Sequence, residues 1–143
     1  MKRLFAAAFL GLIAACSPAT PSNVASMEVT APAEDDRIVA ALSYASWCGS
    51  CRALDPKITE ARAGGDPEGI HFVVLDYTDR DVDAFFAGAE TAGVGSALRT
   101  HYADGVTTGR MVVVDLETGT VVGEINKNMS SAEIREALET AAA

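Results

Sequence analysis

Basic residues are scarce in this chain of 143 residues: 11 lysines and arginines stand against 20 acids, a formal charge of −9. That balance excludes nucleic acid and anionic lipid surfaces as preferred partners, because both are recognised by clustered cations. Aromatics amount to only 6%, and none of the five prolines lies beyond Pro67. Histidine is limited to His71 and His101 and cysteine to Cys16, Cys48 and Cys51. No internal repeat is visible. The apolar run at residues 4–15, "LFAAAFLGLIAA", falls short of the roughly 20 residues of a membrane-spanning helix. What is present is a hydrophobic content of 49%, enough for one core, and a length that fits one domain with a tail.

Lys2 and Arg3 precede the apolar run, and small residues close it. A charged start, a short apolar centre and a small-residue boundary form an export signal over 1–15. The following "LIAAC" resembles the lipobox of bacterial lipoproteins, with Ile13 where leucine is commonest. The resemblance implies that the Cys16 thiol receives a diacylglyceryl group and becomes the first residue after cleavage. An ordinary cleaved signal is the plainer alternative, leaving a soluble periplasmic protein. Cleavage before Cys16 removes Lys2 and Arg3, so the charge becomes 9 − 20 = −11. Ser17, in place of the aspartate that retains such lipoproteins at the inner membrane, points to the outer membrane of a Gram-negative envelope.

Residues 16–36 contain three of the five prolines and many small residues. They read as the lipidated cysteine and a flexible tether. The domain then spans 37–143. "IVAALSYA" at 38–45 is a continuous apolar run, as suits a strand buried on both faces. After Cys51, Leu54, Ile58 and Ala61 have helical spacing, ended by Gly64 and Gly65 and expected to kink at Pro56. "IHFVVLDY" at 70–77 is a second strand, so the unit is a right-handed βαβ. Residues 81–103 read as helix broken at Gly93 and Gly95, and "RMVVVDLETGTVVGEI" as a hairpin turning at Glu117–Thr120. Ser130 and Glu133 form a capping box before a last helix. The fold class expected is α/β, with a mixed sheet of about four strands flanked by helices.

Cys48 and Cys51 have C-x-x-C spacing, which serves three purposes. In dithiol–disulfide exchange, both sulfurs meet at the first turn of a helix, where free N–H groups and the helix dipole favour a thiolate on the first cysteine. In a zinc site, four ligands are needed, and only two well-separated histidines remain. The third is a pair of small buried residues or an inert bridge. The placement between a buried strand and a helix favours exchange.

"YASWCGSCRALDPKI" is similar to the active-site segment of thioredoxins, carried by Trp47, Gly49, Arg52 and Pro56 around the two cysteines. The order of elements from residue 38 onward also resembles the thioredoxin fold, without its leading strand and helix. The resemblance implies that Cys48 is the exposed nucleophile and Cys51 the buried resolving thiol. It also implies that Trp47 shields the pair, and that no cofactor is used beyond the Cys48–Cys51 disulfide. Three positions depart from the family. Ser50 replaces a proline between the cysteines, so the couple is expected to be more oxidising. Leu42 stands where the family has an acid beneath the resolving cysteine. The family's cis-proline falls at Gly109 or Arg110, and Arg110 there would offer a cation to a Cys48 thiolate.

Asp79, Asp81, Asp83 and Glu90 have calcium-loop spacing, but Ala84 stands at the sharp turn that needs glycine. An acidic helix start accounts for them. His71 is expected to be a strand residue packed or bonded locally, His101 to be exposed at a helix end, and one of Phe85 and Phe86 to enter the core. Two functions remain open. One is a thiol–disulfide oxidoreductase facing the periplasm, acting on protein thiols or disulfides and exchanging electrons with a membrane thiol donor or acceptor. The other is a non-catalytic thioredoxin-like binding or chaperone module.

Overall fold

The computed structural model describes residues 27–143. The segment read as an export signal, Cys16 and residues 17–26 of the expected tether lie outside the described residues. Strand β1 (Ile38–Tyr44) leads to helix α1 (Gly49–Arg62) and strand β2 (Ile70–Asp76). Helices α2 (Val82–Thr91) and α3 (Gly95–His101) follow, then strands β3 (Arg110–Asp115) and β4 (Thr120–Asn126) and helix α4 (Ser131–Ala142). The sheet order is β2-β1-β3-β4; β1 and β2 are parallel, while β3 runs antiparallel to both β1 and β4.

This is the α/β class expected from the sequence, a mixed four-stranded sheet flanked by four helices. Strand β1 is central, which explains its unbroken apolar sequence. Ile38, Ala40 and Leu42 pack toward Leu54 and Ile58 of α1 and Ile134 and Leu138 of α4. Val39 and Ala41 pack on the other face with Phe85, Phe86 and Leu98 of α2 and α3. Both phenylalanines enter the core, where one was expected.

The α1 helix runs through Pro56. Proline removes the bond to the carbonyl of Arg52, four residues back. Pro56 is exposed, so water can satisfy that carbonyl and the helix continues. Helix α4 begins with the full capping box, Ser130 and Glu133 bonding reciprocally. Asp81 caps α2 through Ala84 N at 2.9 Å.

Residues 27–36, assigned to the tether by composition, lie against the domain. Met27 packs on one core cluster and Val29 on the other. The Thr30 carbonyl accepts from His71 Nε2 at 2.9 Å. No helix among the described residues is long and apolar enough to cross a membrane.

Candidate redox site

Strand β1 ends at the sheet's centre, and four residues carry the chain to α1. The Cys48 amide donates to the Ala45 carbonyl at 3.0 Å, closing that turn. Cys48 is the N-cap of α1, in extended conformation, and its Sγ accepts from the Cys51 amide at 3.1 Å. A cap sulfur therefore sits where a serine or aspartate oxygen normally satisfies a free helix N–H. No acid occupies the first turn, so nothing there offsets the positive end of the helix.

Cys48 and Cys51 are joined as a disulfide, with Cα atoms 5.3 Å apart. Both are buried: Cys51 at 1% exposure, as expected, and Cys48 at 6%, where an exposed sulfur was expected, because Gly109 and Tyr44 close over it. Their surroundings are apolar, with Ala45 and Tyr44 alongside. The Ser43 carbonyl lies 3.8 Å from Cys51 Sγ.

Trp47, 45% exposed, forms the rim. Its Nε1 donates to the Thr78 carbonyl at 2.9 Å, and Thr78 Oγ1 accepts from Ser46 N at 3.0 Å. Asp76 fixes Thr78 by accepting from its amide and its hydroxyl. The Arg80 guanidinium lies over the Trp47 ring, 4.4 Å from its centroid.

Of the two positions weighed for the family's cis-proline, Gly109 is the one against the pair. Its φ is +80°, and its amide donates to the Ser43 carbonyl at 2.8 Å. A Cβ on Gly109 would lie 2.5 Å from Ser50 Cβ and 3.2 Å from Cys48 Sγ. Only glycine lets this backbone approach so closely. Arg110 instead extends to Glu124, with Nη1 2.9 Å from one carboxylate oxygen and 3.1 Å from the other. Its cation is thus met by a carboxylate. Gly49 stands between the cysteines, and a Cβ there would meet only the Arg52 head, at 3.9 Å.

Leu42, where the family's acid would stand, is 1% exposed in the apolar cluster beneath α1. On the other face lies a pair the sequence reading did not single out. Ser43 Oγ and Tyr102 Oη are 2.7 Å apart and buried. Burial holds the Tyr102 pKa above its ordinary value, with Glu124 adding to the rise while the Ser43 bond and Arg110 oppose it. Ser43 was detectable as the lone polar residue in a strand otherwise apolar from Ile38 to Leu42. Thr78, Arg80 and Glu124 carried no sequence signal, because their roles arise from contacts across the sheet end. His101 is half-buried rather than exposed, its Nε2 3.3 Å from Glu124.

Fold and site together define an α/β domain with a C-x-x-C disulfide opening its first helix. No protein-family model matches the chain, and no curated protein matches it. Among solved structures it is similar to StoA from Bacillus subtilis, at 13% identity over 74% of this chain and 84% of that one, TM-score 0.48. It is also similar to spinach chloroplast thioredoxin F, at 18% identity over 80% and 93% of the two chains, TM-score 0.46. A mutant thioredoxin from Halobacterium salinarum matches at 18% identity over 76% and 78%, TM-score 0.46.

Proposed function

We propose that this chain is a thiol–disulfide oxidoreductase. The observation that carries the reading is the seat of Cys48: a helix N-cap sulfur, bonded to Cys51, under an exposed tryptophan and beside a side-chain-free Gly109 backbone. A purely structural bridge closing so short a loop stabilises little, whereas the N-cap seat lowers the pKa of a cysteine thiol.

The reaction balances as two exchanges. In the reduced protein, the Cys48 thiolate attacks a substrate disulfide. One Cys48–substrate S–S bond forms, the substrate bond breaks, and one substrate sulfur leaves as thiolate. Cys51 then loses its proton to water and attacks Cys48 Sγ. The internal disulfide forms, and the second substrate sulfur leaves and takes up a proton. The substrate gains two electrons and the protein loses two. An external dithiol restores the reduced pair, and the reverse sequence oxidises a substrate dithiol. Leu42 leaves no carboxylate beneath Cys51 to accept its proton, which is why water is assigned that part.

Ser50 is expected to raise the potential, because its hydroxyl can donate to a thiolate and proline's rigidity is gone. The export signal and Cys16 support a location facing the periplasm, lipid-anchored in the outer membrane, with protein thiols or disulfides of the envelope as substrates and a membrane thiol donor or acceptor as redox partner. Insulin reduction with Cys48→Ser as control tests the activity. Turnover that depends on Cys48 supports the reading; equal rates with and without Cys48 would overturn it.

A further inference from the structure

We propose that Arg80, together with Arg52, makes the rim of the disulfide selective for polypeptides whose reacting cysteine is flanked by aspartate or glutamate. This rests on the oxidoreductase reading above. Four arginines of the described residues are met by carboxylates. Arg62, Arg99, Arg110 and Arg135 hold Asp66, Glu90, Glu124 and Glu139 at 2.6, 2.7, 2.9 and 2.7 Å. Arg80 differs: among the described residues it forms no ion pair, and its guanidinium lies over Trp47. Arg52 donates to the Ser46 carbonyl at 3.5 Å, which leaves its charge in place, and its head lies next to Gly49 in the cysteine turn. Two guanidinium groups thus flank the segment Trp47–Gly49 that carries Cys48.

Arg80 also has φ +59°, the single positive φ outside glycine among the described residues. A long side chain in the left-handed region is strained, and such strain persists where surrounding contacts hold it. Here the Arg80 amide closes a turn onto the Tyr77 carbonyl at 3.0 Å, and the side chain stacks on the indole. Stacking orders the guanidinium before a partner arrives, so less entropy is lost on binding a carboxylate. Asp76 accepts from Thr78 and Asp81 caps α2, and both keep their negative charge, which works against the two arginines at longer range. Asp79 is exposed beside Arg80 and, among the described residues, forms no ion pair, so its charge opposes that of Arg80. Trp47 beneath Arg80 and Val82 two residues beyond it are both exposed, at 45% and 46%. They offer more apolar area than a small thiol covers, which favours a polypeptide. The overall charge of −9 pulls the other way, toward basic substrates. At physiological salt that field is screened beyond about 8 Å, so the two close cations dominate at contact.

The test uses three disulfide-linked peptides with one core sequence and flanks of aspartate, serine or lysine. The rate constant kcat/KM is measured for the protein and for Arg80→Gln and Arg80→Glu, at low and high salt. The aspartate peptide is expected to react about tenfold faster than the lysine peptide at low salt, with about threefold from each cation, and the ratio should collapse at high salt. Arg80→Gln should lower the aspartate rate about threefold relative to the serine rate; Arg80→Glu should reverse the order. Equal rates for the three peptides, or a lysine preference, would overturn the inference while leaving the oxidoreductase reading intact. So would a uniform slowing of all three by Arg80→Gln, which would mark Arg80 as packing for Trp47 alone. Failure of the protein to turn over any of the three would overturn the oxidoreductase reading and this inference with it.

Discussion

Replacing Gly109 by alanine probes how tightly the backbone is pressed against the disulfide. Two separate penalties arise. The first is conformational: at φ +80° an L-residue with a Cβ costs about 1–2 kcal/mol. The second is steric, since the new Cβ would stand 2.5 Å from Ser50 Cβ, 3.2 Å from Cys48 Sγ and 3.3 Å from the Cys51 amide. None of these neighbours is the far end of a flexible side chain. Overpacking of this kind costs about 1–3 kcal/mol, so the sum is about 2–5 kcal/mol. Gly65 supplies the control, with φ +96° and nothing within 4 Å of a Cβ. Gly65→Ala therefore carries the conformational part alone, about 1–2 kcal/mol. Urea denaturation of both variants, fitted to two states, reads the difference. The double variant Ser50→Gly with Gly109→Ala should recover part of the steric loss, because the closest clash disappears. If Gly109→Ala destabilises no more than Gly65→Ala, the close approach described here is wrong.

The buried hydroxyl pair makes a second expectation. Ser43→Ala leaves the Tyr102 hydroxyl buried without its partner and should cost about 1–3 kcal/mol, while Ser43→Ala with Tyr102→Phe should cost less than the sum of the singles; additive losses in denaturant would contradict the pairing. Because burial raises the folded pKa of Tyr102 above 10.0, its contribution is fully present below the unfolded value and is lost as pH rises past it toward the folded one. Stability should therefore decline above about pH 10, with a smaller decline in Tyr102→Phe, read by thermal unfolding across alkaline pH. Arg110→Ala should leave the Cys48 pKa unchanged, since Glu124 already meets that cation; a clear rise in the ultraviolet thiolate titration would give Arg110 the electrostatic role considered for it at the sequence level.

Much of the fold was legible because burial dictates pattern. Strand β1 is central, so "IVAAL" shows no alternation, and the hairpin and the Ser130–Glu133 capping box are encoded within a few residues each. The cysteine pair was legible for the same local reason: strand, turn and helix are contiguous in sequence. What was hidden depends on contacts between distant residues. Proline and small residues at 27–36 suggested a free tether, yet Met27 and Val29 find apolar partners on the two sheet faces. Pro56, where a kink was expected, falls on the exposed side of α1, where water can reach the carbonyl it leaves unbonded. The choice between Gly109 and Arg110 turns on one residue of register where the chain enters β3. Thr78 and Arg80 reach Trp47 from a loop thirty-odd residues downstream, a meeting that no local pattern announces.

The redox equilibrium of the Cys48–Cys51 couple in glutathione buffers decides whether the pair is chemical or structural. An N-cap cysteine paired through C-G-S-C, with Ser50 in place of proline, should equilibrate above about −270 mV, the value typical of thioredoxin. A potential below about −300 mV, the range of structural disulfides, would contradict the assignment of Cys48 and Cys51 to exchange chemistry.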